Sequence, residues 1–187
     1  MRRPILLSIA SAMCVVSLAA AETGVGVNYG FMFPQHGQRQ GEAVVVSLPG
    51  SPLDGVTSMP GFRLAVRTAS GHQLYLDTSI FLSSYSGRAT ASVQALGNYQ
   101  YDFQPRALAS PYVTAGGGLY HFDNGDLGPP VTQAIAGGGL GIRRRVAAGH
   151  GDFRLEARYD HYFPSHEELS IANSFATKFG FDLWMGK

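Results

Sequence analysis

The segment around position 165 carries the side chains with the most reactive chemistry. The imidazole and carboxylate groups that zinc takes as ligands are supplied here by His161, His166, Glu167 and Glu168. Their spacing fits no known pattern of metal ligands, and a solvated loop with incidental charges accounts for them better. The sequence therefore predicts no metal site and no cofactor.

The same segment holds a hydroxyl nucleophile and a base. Ser165 follows shortly after His161 in the chain. A serine nucleophile needs its base within hydrogen-bond reach, and this spacing does not ensure such a contact. We expect no catalysis from this pair.

Two glycine runs have the composition of phosphate-binding loops. They are Gly116–Gly118 and Gly137–Gly139, with Gly141 following the second. No Gly-Lys-Ser or Gly-Lys-Thr follows either run, and no helical pattern accompanies them. Glycines inside strands mark a close backbone approach or the curvature of a barrel. We therefore place both runs inside strands.

The clearest pattern in the chain is the alternation of charged and apolar residues over 152–161. Phe153, Leu155, Ala157 and Tyr159 fall on one parity, and the intervening positions 152, 154, 156, 158 and 160 are all charged. Successive side chains of a strand point to opposite faces, so this segment predicts a strand with one apolar and one charged face.

The same test predicts eight strands in all. Their approximate ranges are 23–33, 60–68, 72–82, 90–103, 110–122, 131–145, 151–162 and 174–185. Most have the nine to eleven residues that a tilted membrane strand needs. The connections 69–71, 104–109 and 146–150 are short, whereas 34–59 and 163–173 are long, as in outer-membrane barrels. Only the short connection 83–89 departs from this alternation.

The chain begins with the features of a secretory leader. Arg2 and Arg3 precede the apolar run 5–18, and small residues end at Ala21. We predict a cleaved signal peptide over 1–21 and one barrel domain over 22–187. The single cysteine, Cys14, lies in this leader, so the mature domain contains no thiol.

The charge of the mature domain is close to neutral. The chain has 14 Lys and Arg and 13 Asp and Glu, and two of the arginines lie in the leader. The absence of a basic stripe argues against a nucleic-acid partner.

Setting the register by the apolar residues predicts a charged interior. The predicted interior network consists of Arg63, Arg67, Asp77, Arg143, Arg145, Asp152, Arg154, Glu156, Arg158, Asp160, Lys178 and Asp182, and Asp102 shares their face. Basic and acidic groups are nearly balanced, which suits mutual pairing in an enclosed space. Only Arg144 falls on the apolar face. These side chains would fill an eight-stranded barrel and leave no open channel.

Aromatic residues near the segment ends also favour an apolar exterior. Tyrosine at a membrane boundary keeps its hydroxyl in water and its ring in apolar surroundings. We expect boundary positions for Phe31, Phe33, the segment 99–103, Tyr112, Tyr120, Phe122, Tyr159 and Tyr162.

With these strands, the chain resembles the small OmpA/OmpX-like family of outer-membrane β-barrels. The resemblance covers 22–187 and rests on the strand count and on the segments PYVTAGGGL (111–119) and LEARYDHY (155–162). It implies an all-β, eight-stranded antiparallel up-and-down transmembrane barrel in a Gram-negative outer membrane. Family members usually end on an aromatic residue, whereas the apolar stripe here ends at Met185, with Trp184 on the other face.

Three functions remain open from the sequence. The favoured one is a structural or surface-interaction role without catalysis. Its partners are outer-membrane lipid, the barrel-assembly machinery and periplasmic chaperones during biogenesis, and a surface partner at loops 34–59 and 163–173. One alternative is a soluble periplasmic barrel with a small apolar ligand. The other is a lipid-modifying enzyme, since lipid A deacylases are barrels of similar size. Their His-x-Ser-Asn pattern, however, is replaced here by His161-Tyr162-Phe163-Pro164.

Overall fold

Nine strands make up almost all of the described structure. The computed structural model describes residues 21–36, 57–58, 60–85, 88–122, 130–163 and 171–185, so the predicted leader lies outside it except for Ala21. The strands are β1 (Glu22–His36), β2 (Thr57–Ser58), β3 (Gly61–Arg67), β4 (His72–Tyr85), β5 (Arg88–Asp102), β6 (Ala109–Phe122), β7 (Val131–Val146), β8 (Gly151–Tyr162) and β9 (Ile171–Met185). No helix within these ranges is long and apolar enough to cross a membrane.

The strands form one closed antiparallel sheet. Each strand from β3 to β9 pairs with its neighbour in sequence, and β1 pairs with both β3 and β9. The pairing of β1 with β9 runs from Thr23↔Met185 to His36↔Ile171 and closes the sheet. The short β2 pairs with β1 and β4, as β3 does, so β2 and β3 share one place in the wall. The eight-stranded up-and-down barrel is therefore confirmed, and the sheet formed by its described strands is closed.

Side chains alternate between the two faces of the wall with the period of two expected for strands. On β8, Arg154 is 5% exposed and Leu155 is 60% exposed. On β3, Arg63 is 1% exposed and Leu64 is 58% exposed. The charged parity therefore faces the interior and the apolar parity faces outward, as the sequence predicted.

The outward face of the described strands carries many large apolar side chains. Its large exposed residues include Val25, Val27, Phe62, Leu64, Leu74, Leu76, Leu119, Leu140, Ile142, Phe153, Leu155, Phe179 and Leu183. Rings on neighbouring strands contact one another there, as Phe153 and Phe181 do with centroids 4.9 Å apart. A surface of this extent is unusual on a soluble monomer and is suited to lipid.

Short turns occupy one end of the barrel. The turn before β4 is closed by a hydrogen bond from the Gly71 amide to the Thr68 carbonyl at 3.2 Å, with Gly71 at a φ of +95°. The 3-10 turn Ala147–Gly149 joins β7 to β8 at the same end. The chain begins β1 and finishes β9 there too, since Thr23 pairs with Met185.

At the opposite end, the predicted bounds of the connections 34–59, 83–89 and 163–173 were wrong, because the strands extend further; β4 continues to Tyr85 and β5 begins at Arg88. The predicted loop 34–59 begins too early, because β1 continues to His36. It also includes the short strand β2, which the sequence did not predict. The predicted loop 163–173 ends too late, because β9 already begins at Ile171. Pairing between β1 and β9 extends both strands beyond their apolar alternation. The remaining parts of the loops 34–59 and 163–173, which are 37–56, 59 and 164–170, lie outside the described residues.

Candidate functional site

The barrel interior is the candidate site, because it gathers nearly all of the charged side chains of the strands. Buried members of the predicted network are Arg63, Asp77, Arg143, Asp152, Arg154, Glu156, Arg158, Asp160, Lys178 and Asp182, and Asp102 is buried with them. Arg67 and Arg145 lie at the mouth beside the short turns and are partly exposed.

The centre of the interior is built on Arg154 of β8. Its guanidinium holds Asp182 through two bonds, Nε to Oδ2 at 2.5 Å and Nη2 to Oδ1 at 2.9 Å. The same Nη2 donates to the Asn28 Oδ1 at 2.8 Å, and the Asn28 amide donates to Asp77. Lys178 lies 3.0 Å from Asp77. Four strands are thus linked by one chain of charge-assisted bonds, which are the stronger class of hydrogen bond.

Arg63 occupies the middle of this cluster without a close carboxylate of its own. Its guanidinium carbon lies 3.4 Å from the centroid of the Tyr75 ring. The nearest carboxylate oxygens belong to Asp182 at 3.8 Å and Glu156 at 4.0 Å. The Tyr112 hydroxyl donates to Glu156 at 3.1 Å. A cation–π contact therefore supplements two longer ion pairs around a fully buried charge.

Gly141 makes room for Tyr112 in this cluster. A Cβ at position 141 would lie 2.2 Å from the Cζ of the Tyr112 ring and 2.6 Å from the Leu155 carbonyl oxygen. The second glycine run thus lies inside β7, and Gly141 permits a close approach of a side chain to the wall, as predicted for strand glycines.

A second group of charges lies at the mouth beside the short turns. Arg67 donates to Glu22 at 2.8 Å and to Asp152 at 2.5 Å, and its guanidinium carbon lies 3.9 Å from the centre of the Trp184 ring. The Trp184 indole donates to Asp152 at 2.7 Å. Arg143 donates to Asp102 at 2.7 Å. The Trp184 side chain thus lies in the interior, which explains why its parity is opposite to that of the apolar stripe of β9.

Toward the end opposite the short turns, the interior changes from charged to apolar side chains. Arg158 donates to Asp160 at 2.7 Å and to Asn98 at 2.9 Å. Beyond this pair lies an apolar layer made of Met32, Leu96, Tyr120, Ile135, Tyr162 and Ala176. The charged groups are therefore enclosed on that side by packed apolar side chains.

The boundary positions predicted for three tyrosines were wrong. Tyr112, Tyr120 and Tyr162 were expected at the membrane boundary, but they are 1%, 5% and 1% exposed and point inward. Their parity is that of the charged residues, so each ring lies in the interior. Tyr120 and Tyr162 meet edge to face at 5.5 Å. Tyr99 and Tyr159, at 43% and 52% exposure, do face outward.

The segment around His161 is only partly described. His161 lies on the outward face, where its ring accepts or donates a hydrogen bond with Asn173 at 2.9 Å and contacts Phe163. Ser165, His166, Glu167 and Glu168 lie outside the described residues. Within the described ranges, no group of three or more His, Cys, Asp or Glu side chains is placed to hold a metal ion.

Expression of this protein is expected to leave the mass of lipid A unchanged, because the His-x-Ser-Asn pattern of the lipid A deacylases is replaced here by His161-Tyr162-Phe163-Pro164. Mass spectrometry of lipid A from cells with and without the protein measures this directly. A mass loss equal to a fatty acid, abolished by His161→Ala, would instead establish the enzyme alternative.

Known structures share this fold. The chain resembles the crystal structure of Neisserial surface protein A, with a TM-score of 0.57, 13% identity, and coverage of 88% of this chain and 96% of that one. It also resembles outer membrane protein H (OprH) of Pseudomonas aeruginosa, with a TM-score of 0.57, 17% identity, and coverage of 88% and 99%.

The outer membrane protein OprG of the same organism gives a TM-score of 0.55, 12% identity, and coverage of 90% and 97%. Neither a protein-family model nor a curated protein sequence matches the chain. At these identities the likeness concerns the fold alone: the chain has the fold of the small outer-membrane β-barrels, as expected from the sequence.

Proposed function

We propose that this chain is an outer-membrane β-barrel with a structural or surface-interaction role and without catalysis. The observation that carries the proposal is the combination of an apolar outward face with an interior of paired charges. A soluble barrel for an apolar ligand would need the reverse arrangement. The described interior offers charged groups and a packed apolar layer where such a ligand would have to bind.

The interior arrangement also favours a closed barrel. Side chains fill an eight-stranded barrel, and here they are held across it by bonds such as Arg154–Asp182 and Arg158–Asn98. The apolar layer around Tyr162 adds a barrier that ions do not cross readily. In this proposal the barrel anchors the protein in the membrane, and the long connections between strands carry the recognition function.

We expect the purified barrel to conduct no ions in a planar lipid bilayer. Discrete and long-lived current steps from the heat-modifiable, folded protein would contradict the closed interior. The ion current of the wild type is compared with that of Tyr162→Ala, a variant that opens the apolar layer. It removes a ring that is 1% exposed and contacts Tyr120.

The proposed surface partner would meet the long connections 37–56 and 164–170. In the small outer-membrane barrels the long connections face outside the cell and the short turns face the periplasm. Loops on a rigid scaffold are where recognition usually resides.

An epitope inserted at Gly41 is expected to be labelled by antibody on intact cells. The matched control is the same epitope at Ser70, in the short turn before β4, which should be labelled only after the outer membrane is permeabilised. Labelling of the Ser70 insertion on intact cells, with the Gly41 insertion protected, would reverse the proposed orientation.

A further inference from the structure

A small cavity opens at the mouth beside the short turns. Its volume is about 150 Å³, and it is lined by Glu22, Arg67, Arg145, Ala148, Gly149, His150 and Trp184. Two guanidinium groups and one carboxylate therefore face the same enclosed space. The cavity is distinct from the packed centre of the barrel and is reached from the periplasmic side in the proposed orientation.

Arg145 is the cation that this cavity leaves without a partner. It pairs across the strands with Asp152, yet its side chain makes no ion pair within 4 Å and no hydrogen bond in the described part of the chain. Its Nε is buried and without an acceptor. That Nε is inaccessible, so the Nη donors of Arg145, which no described residue engages, are the ones available to an anion in the cavity.

The carboxylates nearby are already engaged by other donors. Asp152 accepts from Arg67 and Trp184 on Oδ2 and lies 3.5 Å from Arg143 through Oδ1. Glu22 binds Arg67 at 2.7 Å. Three arginines (67, 143 and 145) and three carboxylates (22, 102 and 152) face the interior at this mouth, but their pairing is uneven. Among the described residues, Arg145 remains unpaired beside the cavity because Asp152, its cross-strand neighbour, is engaged by other donors.

The wall of the cavity is a turn held in an unusual conformation. Ala147, Ala148 and Gly149 have φ values of 51°, 54° and 94°, in the left-handed region that alanine rarely adopts. The turn is fixed on both sides, since the His150 amide donates to Ala147 and the Trp184 amide donates to His150. Such strain persists where surrounding contacts fix the backbone, and it often accompanies binding sites.

We propose that this cavity binds a small oxyanion, a phosphate or carboxylate group, with Arg145 as its principal ligand. The cavity is large enough for one such group with attached water. Arg67 contributes a second positive charge, although its own donors are held by Glu22 and Asp152. A guanidinium with free donors is well suited to carboxylate and phosphate because it presents parallel N–H groups.

The cavity contains its own reporter. Trp184 is the single tryptophan of the chain and lines the cavity beside Arg67. Sodium phosphate is titrated into the full-length refolded barrel in maltoside micelles, with sodium chloride at matched ionic strength as the reference. We expect a saturable change in Trp184 fluorescence with phosphate and only a weak, linear response with chloride.

Arg145→Gln is expected to weaken the phosphate affinity about tenfold or more, because it removes a charged donor group. The matched control is Arg144→Gln, which changes the neighbouring residue on β7 that points outward and should leave the affinity unchanged. Gel mobility before and after boiling establishes that both variants are folded. An equal response of wild type and Arg145→Gln, or no saturable response to any anion, would overturn the proposal.

Two further titrations identify the source of the anion. Sodium acetate tests a free carboxylate, and short-chain phosphatidylglycerol below its micelle concentration tests a lipid headgroup. Saturation by phosphate or acetate supports a free periplasmic anion, and saturation by the lipid alone supports a headgroup of the inner leaflet. None of these outcomes depends on a surface partner, so failure of this proposal and failure of the proposed function are separable.

Discussion

Asp182→Asn is expected to lower the free energy of unfolding of the barrel by about 3–5 kcal/mol, the usual cost of breaking a buried ion pair. Asp182 is 1% exposed and binds the Arg154 guanidinium through both carboxylate oxygens. It also lies 3.8 Å from Arg63. Asparagine keeps the shape of the side chain but leaves two buried cations without their main counter-charge.

Urea titration of the barrel in lipid vesicles, followed by the fraction of the fast-migrating folded band on gels, measures this loss. Glu22→Gln is the matched acid-to-amide control, because Glu22 pairs with Arg67 at the partly exposed mouth and should cost less than about 1 kcal/mol. The double variant Arg154→Met with Asp182→Leu should recover part of the stability, since apolar side chains can replace a buried pair, although Arg63 still lacks its nearest carboxylate. Equal stabilities of wild type and Asp182→Asn would contradict the interior network.

Leu155→Arg is expected to destabilise the barrel in lipid by about 2–4 kcal/mol, because it puts a charge on the outward face near the bilayer midplane. Leu155 lies near the middle of β8 between Ile142 and Phe179, and it is 60% exposed. The matched control is Met185→Arg at the end of β9, where the cost should fall to about 0–1 kcal/mol.

The depth dependence is what distinguishes lipid from water. On a water-facing surface, exposed leucine and methionine could both become arginine with little effect on the free energy of unfolding. A penalty at position 155 that equals the penalty at position 185, both near zero, would show that the outward face does not contact lipid.

The strands and the orientation of their faces were predictable because they depend on local periodicity. Five charges on one parity over 152–160 fixed β8, and its burial follows that parity residue by residue. The same reasoning should have placed Tyr112, Tyr120 and Tyr162 inside, since each shares the parity of interior residues. Nearness to a segment end does not determine the direction of a side chain in a strand, whereas parity does.

The partners inside the barrel were not predictable from one sequence. Arg154 reaches Asn28, which is 126 residues away in the chain, and the contact exists only because β1 and β9 close the sheet in one register. The stagger of the strands around the barrel determines which charges share a level. The same stagger places Asp152 among three donors and leaves Arg145 beside an open cavity.

The mobility of the protein on SDS gels, compared before and after boiling an isolated outer-membrane fraction, tests the central claim most directly. A closed barrel in the outer membrane predicts a band in that fraction that migrates faster unheated and shifts on boiling. Recovery of the protein in the soluble periplasmic fraction, without a shift on boiling, would contradict the membrane-spanning barrel proposed for this chain.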